Sequence, residues 1–138
     1  MLYFDFGIFS VIIAAIAGFL VGVIWYSDFA FGKIWRAWTM KGPEDLATTK
    51  KEMQKKAPLA LLSNFIFAYV LAIFLSAMVP IFLSQALVIG ALVWLGFITT
   101  FYFGSVLWEK TPVKVFLLNS AHNFVMIEVM VVILFFLM

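Results

Sequence analysis

The stretch LALLSNFIFAYVLAIFLSAMVPIFLSQALVIGALVWLGFITTFYFGSVLW, residues 59–108, contains no Asp, Glu, Lys or Arg. About 20 helical residues cross the hydrocarbon core of a bilayer, and lipid tolerates no unpaired backbone group. The stretch is too long for one crossing and must be cut. Pro80 and the Ser84-Gln85 pair cut it, leaving spans at 59–79 and 85–108 joined by a tight turn. Upstream lies a charged segment, 27–58, and before it a second uncharged run, 7–26. Downstream, Glu109-Lys110-Thr111-Pro112 separates the long stretch from a last apolar run, 115–138. The expected fold is all-α: a single membrane domain over 1–138, built as a bundle of four transmembrane helices.

Composition agrees. Of the residues, 66% are hydrophobic and 12% charged, with a mean hydropathy of +1.14. Soluble domains run near half apolar and a quarter charged. The absence of cysteine excludes disulfides and thiolate metal sites. The first run is not expected to be a cleaved signal peptide, because no Lys or Arg precedes it and Trp25-Tyr26 close it.

Charge position sets the expected orientation. All nine basic residues lie in two loops: Lys33, Arg36, Lys41, Lys50, Lys51, Lys55 and Lys56 after the first span, Lys110 and Lys114 after the third. Four spans place both loops on one side, and the positive-inside rule makes that side cytoplasmic. Both termini are then outside. Trp25, Tyr26 and Trp108 fall where aromatic anchors meet that interface. Cysteines introduced at Thr48 and Ser84 are therefore expected to react oppositely with an impermeant thiol reagent in intact cells. Labelling at Thr48→Cys without labelling at Ser84→Cys would reverse the orientation.

The first loop is expected to hold structure. Phe31, Ile34, Trp35 and Trp38 share one helical face, which describes a short interfacial amphipathic helix on anionic headgroups of the cytoplasmic leaflet. Gly42-Pro43-Glu44-Asp45 reads as a second helix start. Lys55-Lys56 before Pro58 reads as its end.

Inside the spans, small residues recur every fourth position: Ser10, Ala14, Gly18 and Gly22, then Ala60, Asn64, Ala68, Ala72 and Ser76, then Gly96, Thr100 and Gly104. Such stripes are the usual packing surface of membrane helices. The fourth span carries the polar chemistry. Asn119, His122 and Asn123 share one face of a helical wheel, and Glu128 lies on the opposite side. A carboxyl at that depth is costly and marks either a buried partner or proton and cation handling. With Asn64, these residues form the candidate polar site. Polar groups on both faces of one helix also argue for a homo-oligomer that hides the second face.

Enzyme signatures are missing, and one histidine without cysteines builds no ordinary zinc site. No cofactor is expected. The basic loops are explained by topology and give no support to nucleic-acid binding.

Gly22, Trp25, Tyr26 and Ser27, followed by Phe31, Gly32, Lys33 and Trp35, resemble the signature of a bacterial membrane-protein family catalogued as domain of unknown function 1761. Gly90, Trp94-Leu95-Gly96-Phe97 and Asn119 extend the resemblance over nearly the whole chain. Asp28 departs from it, since a proline or small residue commonly follows that serine. The resemblance implies a four-span protein of the bacterial inner membrane and carries no activity. Two readings of function stay open: an oligomeric membrane protein using its polar groups as helix glue, and a small channel or proton- or cation-coupled transporter of a small solute.

Overall fold

The computed structural model describes residues 6–39 and 44–138, with the side chains of 44–49 outside that description. Its elements are α1 (Ile8–Trp25), α2 (Gly32–Thr39), α3 (Glu44–Met78), α4 (Leu83–Val93), a π-helical turn (Trp94–Thr99), α5 (Thr100–Trp108) and α6 (Val113–Leu137). Four rods are long and apolar enough to cross a membrane: Ile8–Trp25, Lys50–Met78, Leu83–Trp108 and Val113–Leu137. No strand occurs among the described residues. The all-α, four-span expectation holds.

The expected helix end at Lys55-Lys56 is overturned. α3 runs unbroken through Pro58, so the charged helix and the second span are one rod. A proline removes one backbone bond and crowds the preceding turn. Neighbouring turns that keep their bonds absorb that loss, and near the membrane boundary water can reach the freed carbonyl. The Gly42-Pro43 part of the expected helix start lies outside the described residues.

The cut between the two central spans falls at Val79–Phe82, between α3 and α4. Val79 adopts φ 47°, a left-handed conformation that a β-branched residue rarely enters, and so stops α3. Gln85 then ties the turn: its side-chain oxygen accepts from the backbone N–H of Ile81 (2.8 Å) and Phe82 (3.2 Å). The same residue that reads as a break therefore sits inside the first turn of α4.

α6 is the central helix. It packs against α1 on one side and α4 on the other, while α3 is held chiefly by α1. The bundle has a dry half and an open half. The dry core joins Val11, Ala14 and Ala15 of α1, Ala68, Leu71, Ala72 and Leu75 of α3, Ala86 and Ile89 of α4, and Ile127, Met130, Val131 and Leu134 of α6. All of these lie toward the end away from the basic loops. Large apolar side chains on the outer surface, such as Phe101 at 87% exposed, suit lipid as the solvent.

α2 forms where the spacing predicts a short helix and lies under the basic end. The Trp35 ring stands edge-on to Tyr26 at 5.6 Å. Lys114 Nζ sits 5.1 Å from the centre of the Trp38 ring, so the two basic loops meet at one end of the bundle. Asp28, the departure from the family pattern, pairs with Arg36. The Arg36 hydrogen bond holds the Asp28 carboxyl below the usual carboxylate range.

Small residues serve the packing in two spans. Ser10, Ala14 and Gly18 are buried in α1, as are Ala68 and Ala72 in α3. The stripe of the third span is a correction. A Cβ added at Gly96 or Gly104 meets nothing within 4 Å, and Thr100 is exposed with its hydroxyl donating to Gly96 O at 2.7 Å. The face turned to α6 belongs instead to Ala86, Ile89 and Gly90; a Cβ on Gly90 would lie 2.9 Å from Val131 Cγ2. The π turn accounts for the phase beyond it. Tyr102 lies twelve positions after Gly90, which on an unbroken α-helix points it roughly 120° away. One extra residue in a π turn sets the phase back by roughly 100° and returns Tyr102 to the α6 side.

Candidate functional site

The polar residues of α6 fall at the open half of the bundle. Asn119 joins three helices: its side-chain oxygen accepts from Tyr26 Oη at 2.6 Å and its amide donates to Tyr102 Oη at 3.0 Å. Trp94, at the start of the π turn, donates from Nε1 to the backbone oxygen of Ser120 at 2.8 Å. Tyr102 is the member that sequence reasoning misses. A tyrosine within an apolar run gives no signal of its own, and its direction depends on the π turn.

His122 is placed by the absence of a side chain on α1. A Cβ on Gly22 would stand 3.3 Å from His122 Nε2, so the glycine lets the ring lie close to the helix. The ring packs on Tyr26 at 5.1 Å and on Trp25 at 6.0 Å. His122 Nδ1 is 3.2 Å from Asn123 Oδ1. A carboxamide oxygen only accepts, so this bond places hydrogen on Nδ1 and leaves Nε2 an acceptor in the neutral ring. Nε2 is buried without a partner among the described residues.

Next to this cluster, α1, α3 and α6 part to form a groove of about 670 Å³. Its polar wall is Ser63, Asn64, His122 and Asn123, its apolar wall includes Phe19, Val23 and Met126, and Gln54 and Lys56 stand toward the basic loops. Asn64 makes no hydrogen bond to the described residues, so its amide is left for whatever occupies the groove. The volume is within the range that holds small molecules.

Glu128 is elsewhere. It lies on the opposite side of α6 from Asn119, as its spacing predicts, but that side faces α4. The position of a Cβ on Gly90 is 3.0 Å from Glu128 Oε1. Both carboxyl oxygens are buried without a hydrogen-bond partner among the described residues. The Glu128 face of α6 is thus covered by α4 within the protomer. Glu128 does not line the groove, so it and His122 do not share a cavity there. Burying an unpaired carboxyl costs stability, and an apolar side chain of like length removes the cost. Glu128→Met is expected to stabilise the protein by about 1–3 kcal/mol, read from thermal unfolding in mild detergent. A clear loss of stability would show that the carboxyl has a stabilising partner.

The signature residues fall into one structural unit. Ser27 Oγ donates to Ile24 O at 2.6 Å, while Ser27 O accepts from Gly32 N at 2.9 Å. Phe31 N donates to Trp25 O at 2.9 Å. A Cβ on Gly32 would collide with Tyr26 O and lie 2.7 Å from Ser27 O. The signature builds a tight connection that carries Trp35 onto Tyr26, while Lys33 is exposed. Residues 9–135 match the family described as Protein of unknown function (DUF1761). The chain belongs to that family. In this DUF1761 chain, Trp35 and Asn119 meet at one place, Tyr26. No curated protein and no solved structure matches the chain.

Proposed function

We propose that this DUF1761 protein binds a small amphipathic molecule in the groove between α1, α3 and α6, as the binding step of small-solute transport. One observation carries the reading: Asn64, His122 and Asn123 face a single groove of about 670 Å³ whose other walls are largely apolar, and Asn64 has no protein partner among the described residues. Asn64 and Asn123 are half-buried, and amides facing a largely apolar space gain hydrogen-bonding partners from a bound molecule. The groove begins at the basic loops. By the positive-inside rule its mouth opens to the cytoplasm of a bacterial cell, with the chain in the inner membrane and both termini outside. The role we propose is binding: among the described residues, one imidazole and no carboxylate line the groove. Coupling through Glu128 has no support from this geometry.

Ala60 lines the groove and is exposed, so Ala60→Phe fills the space without touching the core. Native mass spectrometry of protein released from membranes in mild detergent is expected to show a small-molecule adduct on the wild type. The adduct should be missing from Ala60→Phe. Bare protein in both cases, with no thermal shift from any added amphiphile, would remove the reading.

A further inference from the structure

The groove is polar at two depths with an apolar stretch between them, and among the described residues only one sign of charge lines it. Lys56 and Gln54 stand at the mouth; Asn64, His122 and Asn123 stand deeper; Val23, Met53, Ala57 and Ala60 are among the residues around them. Lys56 and Asn64 are eight positions apart on the same helix, hence separated by about 12 Å along its axis. Among the described residues, the titratable groups lining the groove are Lys56, His122 and Tyr26, with no Asp or Glu. Glu52 approaches Lys56 at 3.6 Å, but both side chains are mostly exposed. Such an i,i+4 pair is weak and yields readily to a better-placed anion.

Resting on the reading above, we infer that the ligand is an anionic amphiphile, free in solution rather than a leaflet lipid. Its acid group meets Lys56, and a second hydrogen-bonding group about 12 Å further along meets Asn64, His122 and Asn123. The deep subsite is equipped for a hydroxyl. Asn64 and the Asn123 amide offer donors, and the Asn64 side-chain oxygen offers an acceptor. A cationic head would meet Lys56 with no carboxylate among the described lining residues to offset the repulsion.

The test uses the full chain in phosphatidylcholine nanodiscs and four probes of one chain length: 10-hydroxydecanoate, decanoate, decan-1-ol and decyltrimethylammonium. The hydroxy acid is expected to bind about tenfold tighter than decanoate and more tightly still than the ammonium. Lys56→Gln should weaken both acids about tenfold and leave decan-1-ol unchanged. Asn64→Leu should erase the advantage of the hydroxy acid while leaving decanoate unchanged. An ammonium probe that binds as well as the acids, or a hydroxyl without effect, overturns the inference. In those cases displacement by Ala60→Phe shows that the groove reading survives. Binding of no probe, with Ala60→Phe indifferent, sinks both. Repeating the titration in phosphatidylglycerol nanodiscs separates the sources of the acid group: affinity kept within about twofold supports a free solute, and a more than tenfold competitive loss assigns the site to leaflet lipid and overturns it.

Discussion

Gly32→Ala is expected to destabilise the basic end of the bundle by about 3 kcal/mol, a large effect for one methyl group. The new Cβ would collide with Tyr26 O and lie 2.7 Å from Ser27 O. Both atoms belong to backbone that is itself tied down, since Ser27 O accepts from Gly32 N and Ala30 N. No side chain can swing aside. Relief requires the connection between α1 and α2 to open, which withdraws Trp35 from Tyr26. Gly96→Ala and Gly104→Ala are the controls. Neither added Cβ meets anything within 4 Å, so both should stay within about 0.5 kcal/mol or gain from better helix propensity. Thermal unfolding of the three variants in one detergent decides the matter. A Gly32→Ala protein as stable as wild type would mean that the connection is looser than its geometry requires.

Asn119→Leu is expected to cost about 1–3 kcal/mol, from two hydrogen bonds that average about 0.6 kcal/mol each in membrane bundles and reach about 1.7. Leucine keeps the volume but leaves the Tyr26 and Tyr102 hydroxyls without the amide that joins them. Because one side chain serves both, the losses are coupled. Tyr102→Phe alone should cost less than Asn119→Leu. Once leucine is present, adding Tyr102→Phe should cost almost nothing. Strict additivity in that cycle would show that the two residues do not interact.

The polar residues of α6 were legible as a group, because 3.6-residue periodicity places Asn119, His122 and Asn123 together whatever surrounds them. What they touch was not. His122 reaches α1 because Gly22 leaves room, and Asn119 reaches Tyr102 because a π turn resets the phase of the third span. Glu128 reads as a group in need of a second protomer only while its side of α6 is assumed to face lipid. Packed over Gly90, it is covered by α4.

From sequence alone come the four crossing helices, the gathering of basic residues at one end and the short helix that carries Trp35. These follow from hydropathy, charge and turn chemistry summed over local residues, with little dependence on which helix lies beside which. Tertiary structure alone decides the outward face of Gly96 and Gly104, the continuation of α3 through Pro58 and the groove opposite Asn64. The first and the last depend on how far a helix is rotated when it meets its neighbour. A single inserted residue turns every later side chain by roughly 100°, and composition is blind to that rotation.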